Sequence, residues 1–242
     1  MILKGGEMAS ARKIIKKKLK EPDEFVTLTE RAYLFINDHF KPIAGGGIAV
    51  LILVLLFLLF QRWERGNEEN AFQMLNAAVE TYQMVSSPYR EGSAQEYKSV
   101  LEKFNEVATK FPRSLSGKLA ILYQGNIDLR LGEFDQAIQA YESFLQKGGK
   151  EGLYRSFAME GLGYSYEGKK DYEKAINAYQ REVELDENFQ LASAYLGLGR
   201  CYEKLGKTKE AVENYRSFMK VSQKSEMNNI VLGKISNLEK QL

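Results

Sequence analysis

The strongest constraint on the fold is a pattern that occurs three times in the C-terminal half of the chain. Gly125, Gly163 and Gly199 are each followed at the same distance by Ala137, Ala175 and Ala211, and then by Tyr141, Tyr179 and Tyr215. The three sets are offset by 38 and then 36 residues. A period in this range marks a repeat architecture, in which each unit is one supersecondary element whose apolar face is covered only by its neighbours. No stretch of the chain has a strand pattern, and the apolar positions follow helical spacing, so each unit is expected to be a pair of helices. Gly132 and Gly206 stand where the chain must turn between the two helices, and Lys170 takes that place in the middle unit. The glycines are expected to let the first helix approach the second, with the alanines as the matching contact. The tyrosines are expected to wedge against the following unit.

The flanks extend this pattern. Ala71–Val85, with Ala77 and Ala78 at the close-packed point, and Tyr97–Lys110, with Val100 and Phe104 in the alanine and tyrosine places, read as a degenerate first unit that Phe111-Pro112 terminates. A longer turn from Ser86-Ser87-Pro88 to Ser93 joins them. Asn228–Leu242 carries Ile230, Val231, Ile235, Leu238 and Leu242 at helical spacing, as a terminal cap over an otherwise exposed apolar face requires. The array is thus expected over residues 71–222, as units at about 71–112, 118–151, 156–189 and 192–222, with a capping helix at 223–242.

Ahead of the array lies a second constraint. Ile43–Phe60 is 18 residues without a charge, bounded by Lys41 and by Gln61-Arg62-Trp63-Glu64-Arg65. At about 1.5 Å per residue such a helix crosses most of a hydrocarbon core of roughly 30 Å. It shows no polar position every third or fourth residue, unlike a core helix. Residues 1–41 carry nine Lys/Arg against six Asp/Glu, a net of +3 in a chain whose total is +2. The positive-inside rule therefore places the N-terminus in the cytoplasm and the repeat domain across the membrane. In a bacterial cell this means a single-pass inner-membrane protein with a periplasmic domain. The basic region is long and no small-residue exit follows the span, so the span is expected to stay as an uncleaved anchor, with Trp63 at the interface. Residues 42–60 are the expected transmembrane helix and residues 61–70 a short charged linker. Gly45-Gly46-Gly47 offers either a packing face for another membrane helix or local flexibility next to Pro42.

The head, residues 1–41, is expected to hold a pre-membrane helix of about Leu28–Phe40, opened by a capping box Thr27-Leu28-Thr29-Glu30 and followed by a break at Pro42. It is expected to bind either the membrane surface or a protein. The six basic residues of Arg12–Lys20 suit an anionic leaflet as well as they suit a solvated tail. Lys4-Gly5-Gly6-Glu7 just before Met8 resembles a ribosome-binding site read in frame, so Met8 is the expected start.

Catalytic chemistry finds little support. His39 is the one histidine and has no second ligand; Cys201 is the one cysteine, expected to be buried. The acidic pairs Glu182/Glu184 and Asp186/Glu187 are expected on solvated faces. No cofactor, metal or small-molecule substrate is expected, and the charge balance, near neutral over residues 61–242, is not the footprint of a nucleic-acid binder.

The recurring residues resemble the tetratricopeptide repeat, a helical hairpin of about 34 residues. The resemblance departs at Lys170, and again where the consensus proline is missing near Glu187. It implies an all-α architecture, one N-terminal transmembrane helix followed by an α-solenoid, whose concave face is lined by first helices. Carried over position by position, the family's groove residues are Leu122, Asn126, Leu129 and Arg130, then Phe157, Glu160, Tyr164 and Glu167, then Leu196, Arg200, Glu203 and Lys204. Asn126 fits the clamp with which some members hold acidic C-terminal tails, but Leu122, Gly161, Ser193 and Gly197 fill other clamp places, so that ligand is not implied. The layout as a whole is similar to the ancillary SecYEG translocon subunit family (YfgM type), whose ending resembles Gly233-Lys234-Ile235-Ser236-Asn237-Leu238. That similarity implies a non-enzymatic scaffold accessory to protein export or to chaperone handover. An organiser of another envelope complex, such as outer-membrane assembly, division or secretion machinery, is the alternative, and partner and oligomeric state are left open.

Overall fold

The computed structural model describes residues 24–87, 92–147, 152–185, 191–222 and 226–242. The basic stretch Arg12–Lys20, the start at Met8, Pro88, and the pair Asp186/Glu187 lie outside the described residues. Ten helices cover almost all of what is described, with no strand among them. They are α1 (Glu24–Asp38), α2 (Phe40–Val85), α3 (Ala94–Lys110), α4 (Leu115–Leu131), α5 (Phe134–Gln146), α6 (Gly152–Gly168), α7 (Tyr172–Val183), α8 (Leu191–Lys204), α9 (Thr208–Val221) and α10 (Asn228–Glu239). The chain divides into two compact units, Met1–Trp63 and Glu64–Leu242, and the boundary falls within α2.

In the first unit, α1 already runs at Glu24, so Thr27 lies inside a helix and does not cap one. A capping residue needs extended backbone, which a helical Thr27 does not have. The break falls at His39, one turn ahead of Pro42, whose fixed φ suits the first turn of α2. His39 serves that break: Nδ1–H donates to the Phe35 carbonyl at 3.0 Å, and its ring stacks on Phe35 at 4.4 Å. Every side chain from Ile48 to Phe60 is exposed. This part of α2 is long and apolar enough to cross a membrane by length and composition.

Residues 61–70, expected as a linker, are helical. Arg62, Glu64, Arg65, Glu68 and Glu69 are good helix formers and the stretch has no proline, which carries the helix through Gly66, Asn67 and Asn70. In the second unit Glu68 reaches the N-terminus of α4. Its Oε2 accepts the Leu115 N–H at 2.8 Å, and its Oε1 accepts the Ser116 N–H at 3.0 Å and the Ser116 hydroxyl at 2.7 Å. A carboxylate is well placed there, because the first amides of a helix have no partner within it.

The first hairpin pairs Ala71–Val85 of α2 with α3. Ala78 is buried at their contact and Ala77 faces out, while Val100 and Phe104 are fully buried from the α3 side. The start of α3 is set by a capping box that sequence inspection passed over: the Ser93 N–H donates to Glu96 Oε2 at 2.8 Å, and the Glu96 N–H donates to the Ser93 hydroxyl. Three further hairpins follow, α4/α5, α6/α7 and α8/α9. Each turns through a left-handed residue: Gly132 (φ 76°), Lys170 (φ 61°) and Gly206 (φ 70°). Each turn closes with a backbone bond across five residues, Glu133 N–H to Asp128 O, Asp171 N–H to Tyr166 O, and Lys207 N–H to Tyr202 O. Lys170 alone carries a Cβ in this conformation. Lys170→Gly is therefore expected to raise stability by about 1 kcal/mol, read as a higher urea midpoint with an unchanged m-value. The cap α10 buries Val231, Ile235 and Leu238 on α9 and leaves Ile230 and Leu242 exposed.

Candidate functional site

The hairpins are locked by tyrosines rather than by the expected glycine–alanine contact. A methyl group at Gly125 or Gly161 would lie 2.7 or 2.2 Å from the Tyr141 ring; at Gly163 or Gly197, 2.3 or 2.5 Å from the Tyr179 ring; and at Gly199, 2.5 Å from Tyr215. So Tyr141 is gripped by a glycine of its own hairpin and one of the next, and Tyr179 likewise. The alanines Ala137, Ala175 and Ala211 are fully buried, but they are not what the glycines face. The two clamp positions held by Gly161 and Gly197 are thereby explained, since no side chain fits there.

Each gripped tyrosine still needs a partner for its hydroxyl, and the first helices supply it. Tyr141 donates to Asn126 Oδ1 at 2.8 Å, Tyr179 to Glu167 Oε1 at 2.6 Å and Tyr215 to Glu203 Oε2 at 2.5 Å. Burial pushes all three phenols well above their ordinary range, and the carboxylate acceptors add to the rise at Tyr179 and Tyr215. Around them Glu167, Arg200, Glu203 and Lys234 are consumed internally. Arg200 donates from Nε and NH2 to both Glu167 oxygens, at 3.0 and 2.6 Å, and stacks 5.3 Å from the Tyr164 ring centre. Lys234 donates to Glu203 at 2.7 Å. Arg130 donates to the Tyr97 hydroxyl at 2.8 Å over the Tyr97 ring. Leu196 packs into the core beneath α10, and Lys204 is exposed.

What stays open is a groove of about 530 Å³ between α2, α4 and α6. Six of the twelve expected residues line it: Leu122, Asn126 and Leu129 from α4, and Phe157, Glu160 and Tyr164 from α6. The structure places Arg130, Glu167, Leu196, Arg200, Glu203 and Lys204 outside this lining. Sequence inspection missed the α2 wall, Phe72, Leu75, Asn76 and Val79, along with Leu119, Tyr123 and Tyr154. Phe72, Leu75 and Val79 are spaced as one helical face, a signal obscured because 71–112 read as mere packing. The floor is aromatic: Tyr123 stacks flat on Phe104 at 4.8 Å and meets Tyr82 edge-on at 5.8 Å. A concave apolar surface with a few polar groups is the usual form of a binding site, and nothing in its lining is a nucleophile paired with a base.

These features define an α-solenoid of helical hairpins with a ligand-sized groove on its first-helix face. A family model, the tetratricopeptide repeat-like domain, matches residues 35–240, and the chain belongs to that family. A comparison with curated proteins finds no match. Among solved structures, the chain is similar to a tetratricopeptide repeat protein from Parabacteroides merdae ATCC 43184, with a TM-score of 0.54, 19% identity, and coverage of 70% of this chain. The chain spans 61% of that protein's length. It is also similar to a MamA RS-1 double mutant, with a TM-score of 0.51, 20% identity and coverage of 69% of this chain and 84% of the other. A further MamA structure gives a TM-score of 0.51 at 16% identity, covering 69% and 87%. At these identities the likeness shows the fold. The fold is that of a protein–protein interaction scaffold.

Proposed function

We propose that this chain is a membrane-anchored, non-enzymatic scaffold of the bacterial inner membrane, with its head in the cytoplasm and its repeat domain in the periplasm. In this reading Ile43–Phe60 is the single span, and the groove holds a segment of a partner protein during export, at the SecYEG translocon or in handover to periplasmic chaperones. The observation that carries the binding role is the division of the first-helix face. Its C-terminal part is closed by Glu167–Arg200 and Glu203–Lys234, whereas the part between α2, α4 and α6 stays open and apolar. The fully exposed apolar helix and the positive head support the anchoring and its direction.

The test is photocrosslinking in native membranes, with a photoreactive amino acid at Asn76 or Phe72 and, as control, at Lys204. Crosslinks to translocon subunits or periplasmic chaperones are expected from the two groove positions and not from Lys204. Crosslinks to another envelope complex would keep the groove and reassign the client. Equal yields at all three positions would remove the groove from the function.

A further inference from the structure

Glu160 is the one charged side chain lining the groove. It is half-buried, and among the described residues it accepts no hydrogen bond and joins no ion pair. The cation of the neighbouring hairpin that faces this way, Arg200, already gives its guanidinium to both oxygens of Glu167. The Glu160 charge therefore goes uncompensated: after burial it adds to the upward pull on the carboxyl of Glu182, and after burial, Tyr82 and Asp128 it adds to that on the phenol of Tyr141. An unpaired carboxylate beside an apolar wall attracts a cation from the occupant and repels an anion.

Two carboxamides complete the chemistry. Asn126 spends its Oδ1 on the Tyr141 hydroxyl, which fixes the flip of the amide and leaves Nδ2 as a donor. Asn76 on α2 is exposed and keeps both its donor and its acceptor. Between them a peptide backbone finds a donor for its carbonyl and an acceptor for its N–H, while Phe72, Val79, Phe157 and Tyr154 offer walls for one large apolar side chain.

We infer that the occupant is an extended polypeptide segment in which a bulky apolar side chain stands next to a lysine or arginine, the apolar group filling the aromatic groove and the cation meeting Glu160. This rests on the interaction role proposed above. It is tested with the full chain in detergent, by fluorescence anisotropy of short labelled Gly/Ser peptides carrying a central Phe-Phe-Lys, Phe-Phe-Glu or Ala-Ala-Lys. The Phe-Phe-Lys peptide is expected to bind about tenfold or more tightly than either of the others, since each lost contact is worth on the order of 1.4 kcal/mol or more. Glu160→Gln is expected to erase the preference for lysine over glutamate, and Glu160→Lys to reverse it; thermal unfolding of both variants confirms that they are folded. A preference that Glu160→Lys leaves unchanged overturns the inference while keeping the groove. So does equal binding of the lysine and glutamate peptides, or of the Phe-Phe-Lys and Ala-Ala-Lys peptides. Failure of all three peptides to bind overturns the inference together with the groove's role in peptide recognition.

Discussion

Replacing Gly161 with alanine is expected to destabilise the repeat domain by about 3 kcal/mol, near the upper end of what overpacking a core costs. The new methyl would lie 2.2 Å from Cζ of Tyr141. That ring has little room to yield, because Gly125 packs so closely against it that a methyl there too would lie 2.7 Å away, and its hydroxyl is held by Asn126. Urea unfolding of the full chain in detergent measures the loss. The mechanism makes a sharper demand through a double-mutant cycle. Tyr141→Ala alone leaves a cavity and costs on the order of 4 kcal/mol, but on that background Gly161→Ala is expected to cost less than about 1 kcal/mol, giving a coupling of roughly 2 kcal/mol. Additive losses would show that the ring is not what Gly161 makes room for. The same substitution at Gly233, an exposed position within α10 where a Cβ meets nothing, is the control and should raise stability by up to about 1 kcal/mol, since alanine is the better helix former.

The second large effect concerns pH. Glu182 is 3% exposed; one oxygen accepts from the Ser156 hydroxyl at 2.8 Å, and the other has no hydrogen-bond partner. Burial pushes its carboxyl up to about 8, and Glu160 adds to the rise. An unfolded glutamate ionises near 4.5. From about pH 4.5 to 8 the unfolded chain therefore gives up this proton while the folded one keeps it, and stability falls as pH rises, by up to about 1.4 kcal/mol per unit. The total across the window is on the order of a few kcal/mol. Glu182→Gln removes this slope while keeping a partner for Ser156, so the variant is expected to be the more stable protein at pH 8 by about 2 kcal/mol. Asp128, pushed up to about 6 by burial and then by Glu133, contributes a slope of the same sign, confined below pH 6. Chemical denaturation at pH 5, 6, 7 and 8 separates the two: a variant as steep as the parent between pH 6 and 8 would refute the assignment to Glu182.

Glu182 also shows where the sequence could not be read. Next to Glu184 it reads as one half of a solvated acidic edge, yet it is buried with Ser156 of α6 as its partner, and Glu184 is exposed. Helical spacing alone does not say which of two neighbouring carboxylates turns inward. The hairpins themselves were legible because glycine, alanine and tyrosine recur in register, and each must fit the same close contact. Which residue faced which glycine was not, since spacing places Ala137 and Tyr141 on one helix face without saying which reaches Gly125. The capping boxes carry the same lesson. Thr27-Leu28-Thr29-Glu30 and Ser93-Ala94-Gln95-Glu96 have the same pattern, but only Ser93 stands at a helix start. Half of the groove was visible from family positions on α4 and α6. Its α2 wall was hidden in a repeat too degenerate to align, and the closure of the far half by Arg200 and Lys234 depends on pairings between hairpins that no local pattern encodes.

Glu68 gives the molecule an indivisible beginning. A stack of repeats can ordinarily be shortened from one end, each lost unit exposing only the face of the next. Here a carboxylate outside the recognisable repeat satisfies the first amides of α4, passing over α3 to do so. A fragment that starts at the first repeat-like residue, Ala71, keeps the apolar contacts of the first hairpin and leaves those amides to water. A fragment that keeps these bonds therefore begins upstream of Glu68, among the charged residues that follow the apolar run.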